Sequence, residues 1–183
     1  MGKLLDAMRS RFLTKDLPKT AKGQFNALMR KEDGNTARVA ERLGVSRRTV
    51  QRYVSGERSI AKTKPEILDR LQQEVSKDHQ PRVTARAVKE AQRKGMTIET
   101  RAAFGFSSAA GSTDDPRMRR LTEDVPDHLI PEIFEAMRNG DEDRLNELLG
   151  QGLAEEYFRT SGPDAENLDV EFSDIDYVEL DFR

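Results

Sequence analysis

The stretch Thr36 to Val54, TARVAERLGVSRRTVQRYV, leaves this chain few ways to fold. Val39, Ala40 and Leu43 fall on one side of a first helix, and Val50, Tyr53 and Val54 on one side of a second. Gly44 lies between them, where a turn of positive φ suits a residue without a Cβ. Val45 follows as an apolar plug and Ser46 as a helix cap. Ala40 is small, as it must be if the second helix crosses close above it. Small residue, glycine, plug and cap in this register specify a helix-turn-helix. Its outer side presents Arg47, Arg48, Gln51 and Arg52. Arginine can fork onto guanine O6 and N7, and glutamine onto adenine N6 and N7, in a major groove. Arg58, Lys62 and Lys64 follow at positions suited to backbone phosphates.

Charge supports that reading. The net charge of −2 over 183 residues hides a strong polarity. Residues 1–120 carry 27 basic and 14 acidic side chains, whereas residues 121–183 carry 4 basic and 19 acidic ones. A basic region of this size points to a polyanion, most often nucleic acid. The acidic region would repel phosphates and is suited instead to a basic protein partner, or to shielding the basic half.

Apolar spacing organises the rest of the chain. Helices are expected over residues 3–13, from Pro18 to Arg30, from Pro65 to Val75 and from Arg82 to Lys94, each with its apolar residues in a stripe. Ser76 to Pro81 is the best candidate linker. After Gly95 the pattern changes: Met96 to Phe106 reads as a strand, residues 107–116 as a loop of small residues and turn formers, and Arg117 to Thr122 as a returning strand. Helices are expected again over Pro131 to Asn139 and Asp141 to Arg159. The tail from Leu168 to Phe182 alternates in a strand-like manner. The fold class is therefore α+β. An N-terminal all-helical helix-turn-helix domain (1–80) and a basic connecting helix (81–95) precede a small acidic α+β domain (96–183), a short sheet with two or three helices.

Several function classes drop out. The absence of cysteine removes disulfides, thiolate catalysis and cysteine-ligated zinc. His79 and His128 are far apart and lack nucleophile partners, and no phosphate-binding or dinucleotide motif occurs. No catalytic or metal site is expected, and no intrinsic cofactor. No apolar run is long enough to span a bilayer, and the first residues lack a secretory signal, so a cytoplasmic protein with no membrane partner is expected.

The loop at 107–116 offers Ser107, Ser108, Ser112 and Thr113 beside Gly111. On residues alone it reads as a plain hairpin tip, since Ser, Gly and Asp dominate turns. Yet the helix-turn-helix, the segment MTIETRAAFGFSSAAGSTDDPRMRRLTEDVP and the tail ending VELDFR together resemble the telomere-protecting terminal proteins of Streptomyces-type linear chromosomes and plasmids. That resemblance spans essentially the whole chain. It implies a protein primer: a hydroxyl side chain joined covalently to the 5′ end of DNA, capping the telomere and priming fill-in of the 3′ single-stranded overhang. It also implies a DNA polymerase and a telomere-associated DNA-binding protein as partners, with location at the nucleoid or replicon ends. In that family the linkage is to a threonine, which here implies Thr113 in a priming loop, with Ser112 and then Thr122 as alternatives. The chemistry asks little of the primer beyond an alcohol oxygen, because Mg2+ and the deoxynucleotide come with the polymerase. Two other readings stay open. One is a helix-turn-helix transcriptional regulator that uses its acidic half to form a homodimer. The other is a nucleoid or plasmid-maintenance protein with no covalent step.

Overall fold

The computed structural model describes residues 2–108, 113–158 and 168–183. Among them are eight α-helices and a three-stranded antiparallel sheet, so the chain is α+β with a mostly helical N-terminal region. It divides into two compact units. One is built on Lys15–Pro81; the other joins Met1–Thr14 to Arg82–Met137 and Asp141–Arg183. The helical unit is thus an insertion within the sheet unit.

In the helical unit, α2 (Ala21–Lys31), α3 (Thr36–Leu43), α4 (Arg47–Val54) and α5 (Pro65–Asp78) are all α-helices. A single 3-10 turn, Ile60–Lys62, leads into α5. Their core contains Phe25, Leu28, Val39, Ala40, Leu43, Val50, Tyr53, Leu71 and Val75. The linker expected at Ser76 to Pro81 shrinks to His79 and Gln80. Val75 and Ser76 are buried, so the helix continues to Asp78 before Gln80 turns the chain at φ 47°.

In the sheet unit, α1 (Lys3–Phe12) and α6 (Pro81–Lys94) join α7 (Ile130–Asn139) and α8 (Glu142–Phe158). The sheet order is β2-β1-β3, from β1 (Met96–Ser108), β2 (Thr113–Val125) and β3 (Leu168–Phe182). Met96, Ile98 and Ala102 of β1 share one buried face with Leu121, Val125, Val178 and Leu180 from the flanking strands, the two-residue period of a half-buried sheet. Leu4, Leu5, Met8 and Phe12 of α1 enter that same core. The expected boundaries at 1–80, 81–95 and 96–183 therefore differ from these units. The first helix shares its core with the sheet, and α6 contributes Ala87 and Ala91 to that core.

Two local features fix α1. Gly2 supplies no side-chain cap, and the backbone N–H groups of Leu4 and Leu5 instead donate to the two carboxylate oxygens of Glu142, each at 2.9 Å. At the other end Phe12 packs edge-on against Phe134 and Phe182, with ring centroids 5.0 and 5.2 Å away.

The hairpin is longer than expected. β1 reaches Ser108 and β2 starts at Thr113, with Ser107 opposite Thr113 and a bulge between Phe104 and Phe106. Pairing of Asp114 with Phe106 overrides its local turn signal, and Asp115 and Pro116 fall at the bulge. Of the expected loop at 107–116, residues 109–112 lie outside the described residues.

Candidate nucleic-acid interface

The helix-turn-helix assembles from local chemistry. Asn35 caps α3 by accepting from the backbone N–H of Ala37 and Arg38, at 3.0 and 3.2 Å. The helix ends in a Schellman arrangement: Gly44 adopts φ 67°, its N–H meets the Glu41 carbonyl at 3.1 Å, and the Val45 N–H meets the Ala40 carbonyl at 3.0 Å. Ser46 then caps α4, its hydroxyl accepting from the Thr49 N–H at 3.2 Å. Ala40, only 4% exposed, lies in the core shared with Val50 and Tyr53. Tyr53 is held twice, by its hydroxyl at 2.8 Å from that of Thr63 and by an edge-on contact with Phe25.

Behind this pair of helices sits one arginine. Arg42 of α3 donates to Glu32 at 2.8 Å, to Glu74 at 2.7 Å and to Asp78 at 2.6 Å. It also donates to the Glu74 carbonyl at 3.1 Å. Burial works against its charge, but the three carboxylates outweigh burial and raise its pKa above the ordinary value. From α5, Arg70 donates to the Arg42 carbonyl at 2.7 Å. Together these contacts tie α3 to α5 beside the turn. α4 therefore stands on a braced platform.

On the outer side of α4 the residues named from sequence differ in availability. All of Arg47, Arg48, Gln51 and Arg52 are exposed. The Arg48 and Gln51 side chains make no hydrogen bond or ion pair among the described residues. Arg47 donates to the Thr36 hydroxyl at 3.1 Å, and Arg52 pairs with Glu57 at 2.9 Å. Arg58 lies over the Tyr53 ring, 5.7 Å from its centroid. Lys62 and Lys64 are exposed in and beside the 3-10 turn. Ser46 is spent on the cap. Of the four outer side chains of α4, Arg48 and Gln51 are the two without a partner among the described residues.

One expectation fails here. Val54 does not bury the inner side of α4; it is 55% exposed. At about 100° per residue, Val54 projects within about 20° of Arg47, in the outward row Arg47, Gln51, Val54. It borders a shallow groove of about 590 Å³ with Lys22, Asn26, Met29 and Arg58. A helical wheel centred on Val50 and Tyr53 would have shown this, because Val54 lies about 70° from their mean direction.

No family model, curated protein or solved structure matches this chain.

The strand positions of Thr113 and Thr122 are far apart. Thr113 opens β2, with its backbone opposite Ser107, and Ser112 lies outside the described residues. Thr122 is nine positions further along β2, about 30 Å away at strand spacing. It is exposed, faces Glu99 on β1, and lines a concavity of about 450 Å³ with Arg11, Thr97, Glu179 and Asp181. Glu99 there receives hydrogen bonds from Arg120 and then Tyr177, which hold its carboxyl below the ordinary value. Among the described residues no group of three or more His, Asp or Glu side chains could hold a metal ion. Among them, too, no helix is long and apolar enough to cross a membrane.

Proposed function

We propose that this protein binds duplex DNA through α4 and acts at the ends of linear replicons as a terminal protein, with Thr113 as the nucleotide acceptor. The observation that carries the first part is the braced helix-turn-helix, whose exposed α4 side presents Arg48 and Gln51 without partners among the described residues, with Lys62 and Lys64 also exposed. The terminal-protein part rests on the resemblance of residues 96–126 and of the tail. Fifteen basic side chains against nine acidic ones in Lys15–Pro81 suit that unit to phosphates.

In the covalent step the Thr113 oxygen bonds to the α-phosphorus of a deoxynucleotide. Pyrophosphate leaves, and the hydroxyl proton passes to a base or solvent in the polymerase site. The polymerase supplies the metal ions. The acidic residues of the later half face the polymerase and the telomere-associated protein through contacts that salt weakens.

The test supplies polymerase, partner, a telomeric 3′ overhang and labelled deoxynucleotide, and then boils the full chain in detergent. Label should remain on the wild type, vanish in Thr113→Val and persist in part in Thr113→Ser. Label retained by Thr113→Val would move the acceptor to Ser112 or Thr122. No label on the wild type would remove the covalent role and favour a regulator that binds a palindrome as a dimer. Separately, Arg48→Ala and Gln51→Ala should each weaken binding to a preferred duplex by about 1–3 kcal/mol. Undiminished binding by the double variant would overturn the α4 assignment.

A further inference from the structure

We propose that α6 is a second nucleic-acid contact, gripping the backbone phosphates of duplex DNA without reading sequence. This rests on the chain being a DNA-binding protein, but not on α4 being its reading helix.

Arg82, Arg86, Lys89 and Arg93 recur at four-, three- and four-residue steps along α6. At about 100° per residue they fall within about 60° of one another and form a straight row. Opposite that row lie Thr84, Ala87 and Ala91, all buried. Ala87 and Ala91 belong to the core of the sheet unit, so packing fixes which way the row points.

The four cations are exposed. Arg82, Arg86 and Lys89 have no hydrogen bond or ion pair among the described residues. Arg93 meets Glu90 at 3.4 Å with its side chain 69% exposed. Like charges one helical turn apart repel and weaken a helix, so a row in which three of four cations have no partner among the described residues suits an external anion.

The setting sharpens the point. Outside Lys15–Pro81 the chain carries 16 basic and 24 acidic side chains, yet α6 has five basic residues and one acidic. The row is a local exception on an acidic unit. It spans twelve residues, or eleven steps of about 1.5 Å, roughly 16 Å of helix. A duplex presents a charge every 1.7 Å or so of its axis, which makes it a rod-like anion able to meet all four positions. The apolar side of α6 is already buried, which argues against insertion into a lipid surface.

The experiment measures binding of the full chain to a short duplex of arbitrary sequence by fluorescence anisotropy, between about 50 and 200 mM salt. Arg82→Gln, Arg86→Gln and Lys89→Gln are combined in one variant. Glutamine is a good helix former, and circular dichroism checks that the fold persists. The slope of log K against log salt should shrink by about 2–3, so that wild type loses roughly 40-fold more affinity than the variant across that range. Replacing Arg82 and Arg86 by lysine should keep most of the slope. A folded glutamine variant with an unchanged slope overturns the proposal, even if it loses an acidic protein partner. The two assignments fail separately. Were α4 not the reader, sequence preference would be missing but the α6-dependent slope would remain; were α6 idle, preference would stay while the slope did not move.

Discussion

Replacing Arg42 by methionine should open the helical unit from behind. The substitution keeps a long unbranched stem and removes a charge that is 20% exposed and faces carboxylates 15%, 16% and 27% exposed. Exposed ion pairs contribute about 0–1 kcal/mol, whereas breaking a fully buried one costs about 3–5 kcal/mol. Three pairs of intermediate burial, one with an added carbonyl contact, place the loss at about 2–4 kcal/mol at neutral pH. Amide hydrogen exchange in α3 and α5 is the suitable readout, because the chain has two units and need not unfold in a single step. The pH dependence gives a second check. Burial pushes the Glu74 carboxyl up, but hydrogen bonds from Lys77 and Arg42 outweigh it and hold it below the ordinary value of 4.5. A depressed carboxylate stabilises the fold above its unfolded pKa, and that contribution disappears as pH falls through the folded value. The deficit of Arg42→Met should therefore shrink from about pH 4.5 downward. A loss under about 0.5 kcal/mol at pH 7, no more than an ordinary surface change, would refute the bracing role. So would a deficit that stays constant into acid.

Glu142→Ala should cost the sheet unit about 1–2 kcal/mol, read as faster exchange of the α1 amides, because two N–H groups lose their acceptor. Glu142→Gln should lose less, since one of its oxygens can still accept. Ala40→Leu should destabilise the helical unit by about 1–3 kcal/mol in urea unfolding, as extra methyl groups are forced into a filled site. It should also weaken duplex binding beyond what unfolding explains, by displacing α4.

The parts of the molecule that were legible in sequence are those whose causes are local. Asn35, Gly44 and Ser46 each act within a few residues of their own position, so the ends of α3 and α4 follow from the sequence. The stripe of Leu4, Leu5, Met8 and Phe12 is just as visible, but its partners Ile133, Phe134 and Leu180 lie more than a hundred positions away. Nothing near α1 announces a sheet. Its cap, Glu142, is equally remote. The early start of β2 is hidden for a related reason: Asp114, Asp115 and Pro116 signal a turn locally, and only the pairing of Thr113 and Asp114 with β1 starts the strand there. Val54 departs from expectation because apolar character alone does not decide burial; the direction in which the residue projects does. The acceptor hydroxyl is legible only through resemblance, since alcohols in small-residue loops are common.

The insertion of one unit inside the other sets the order in which the chain can fold as it leaves the ribosome. All but Arg138–Gly140 of the helical unit is the continuous stretch Lys15–Pro81, so it can fold soon after that stretch emerges. The sheet unit has to wait. Its central strand needs β3 on one side, and Arg183 closes the far end by donating its N–H to Gly95 at 3.1 Å and its guanidinium to Asp124 at 2.6 Å. Meanwhile the apolar face of α1 has no core to enter until more than a hundred further residues have followed. A chain interrupted before residue 168 would hold a finished helix-turn-helix beside an exposed α1 and an unpaired edge of β1, the kind of surface that chaperones and proteases recognise. Truncated products would then combine a folded helical unit with a short lifetime.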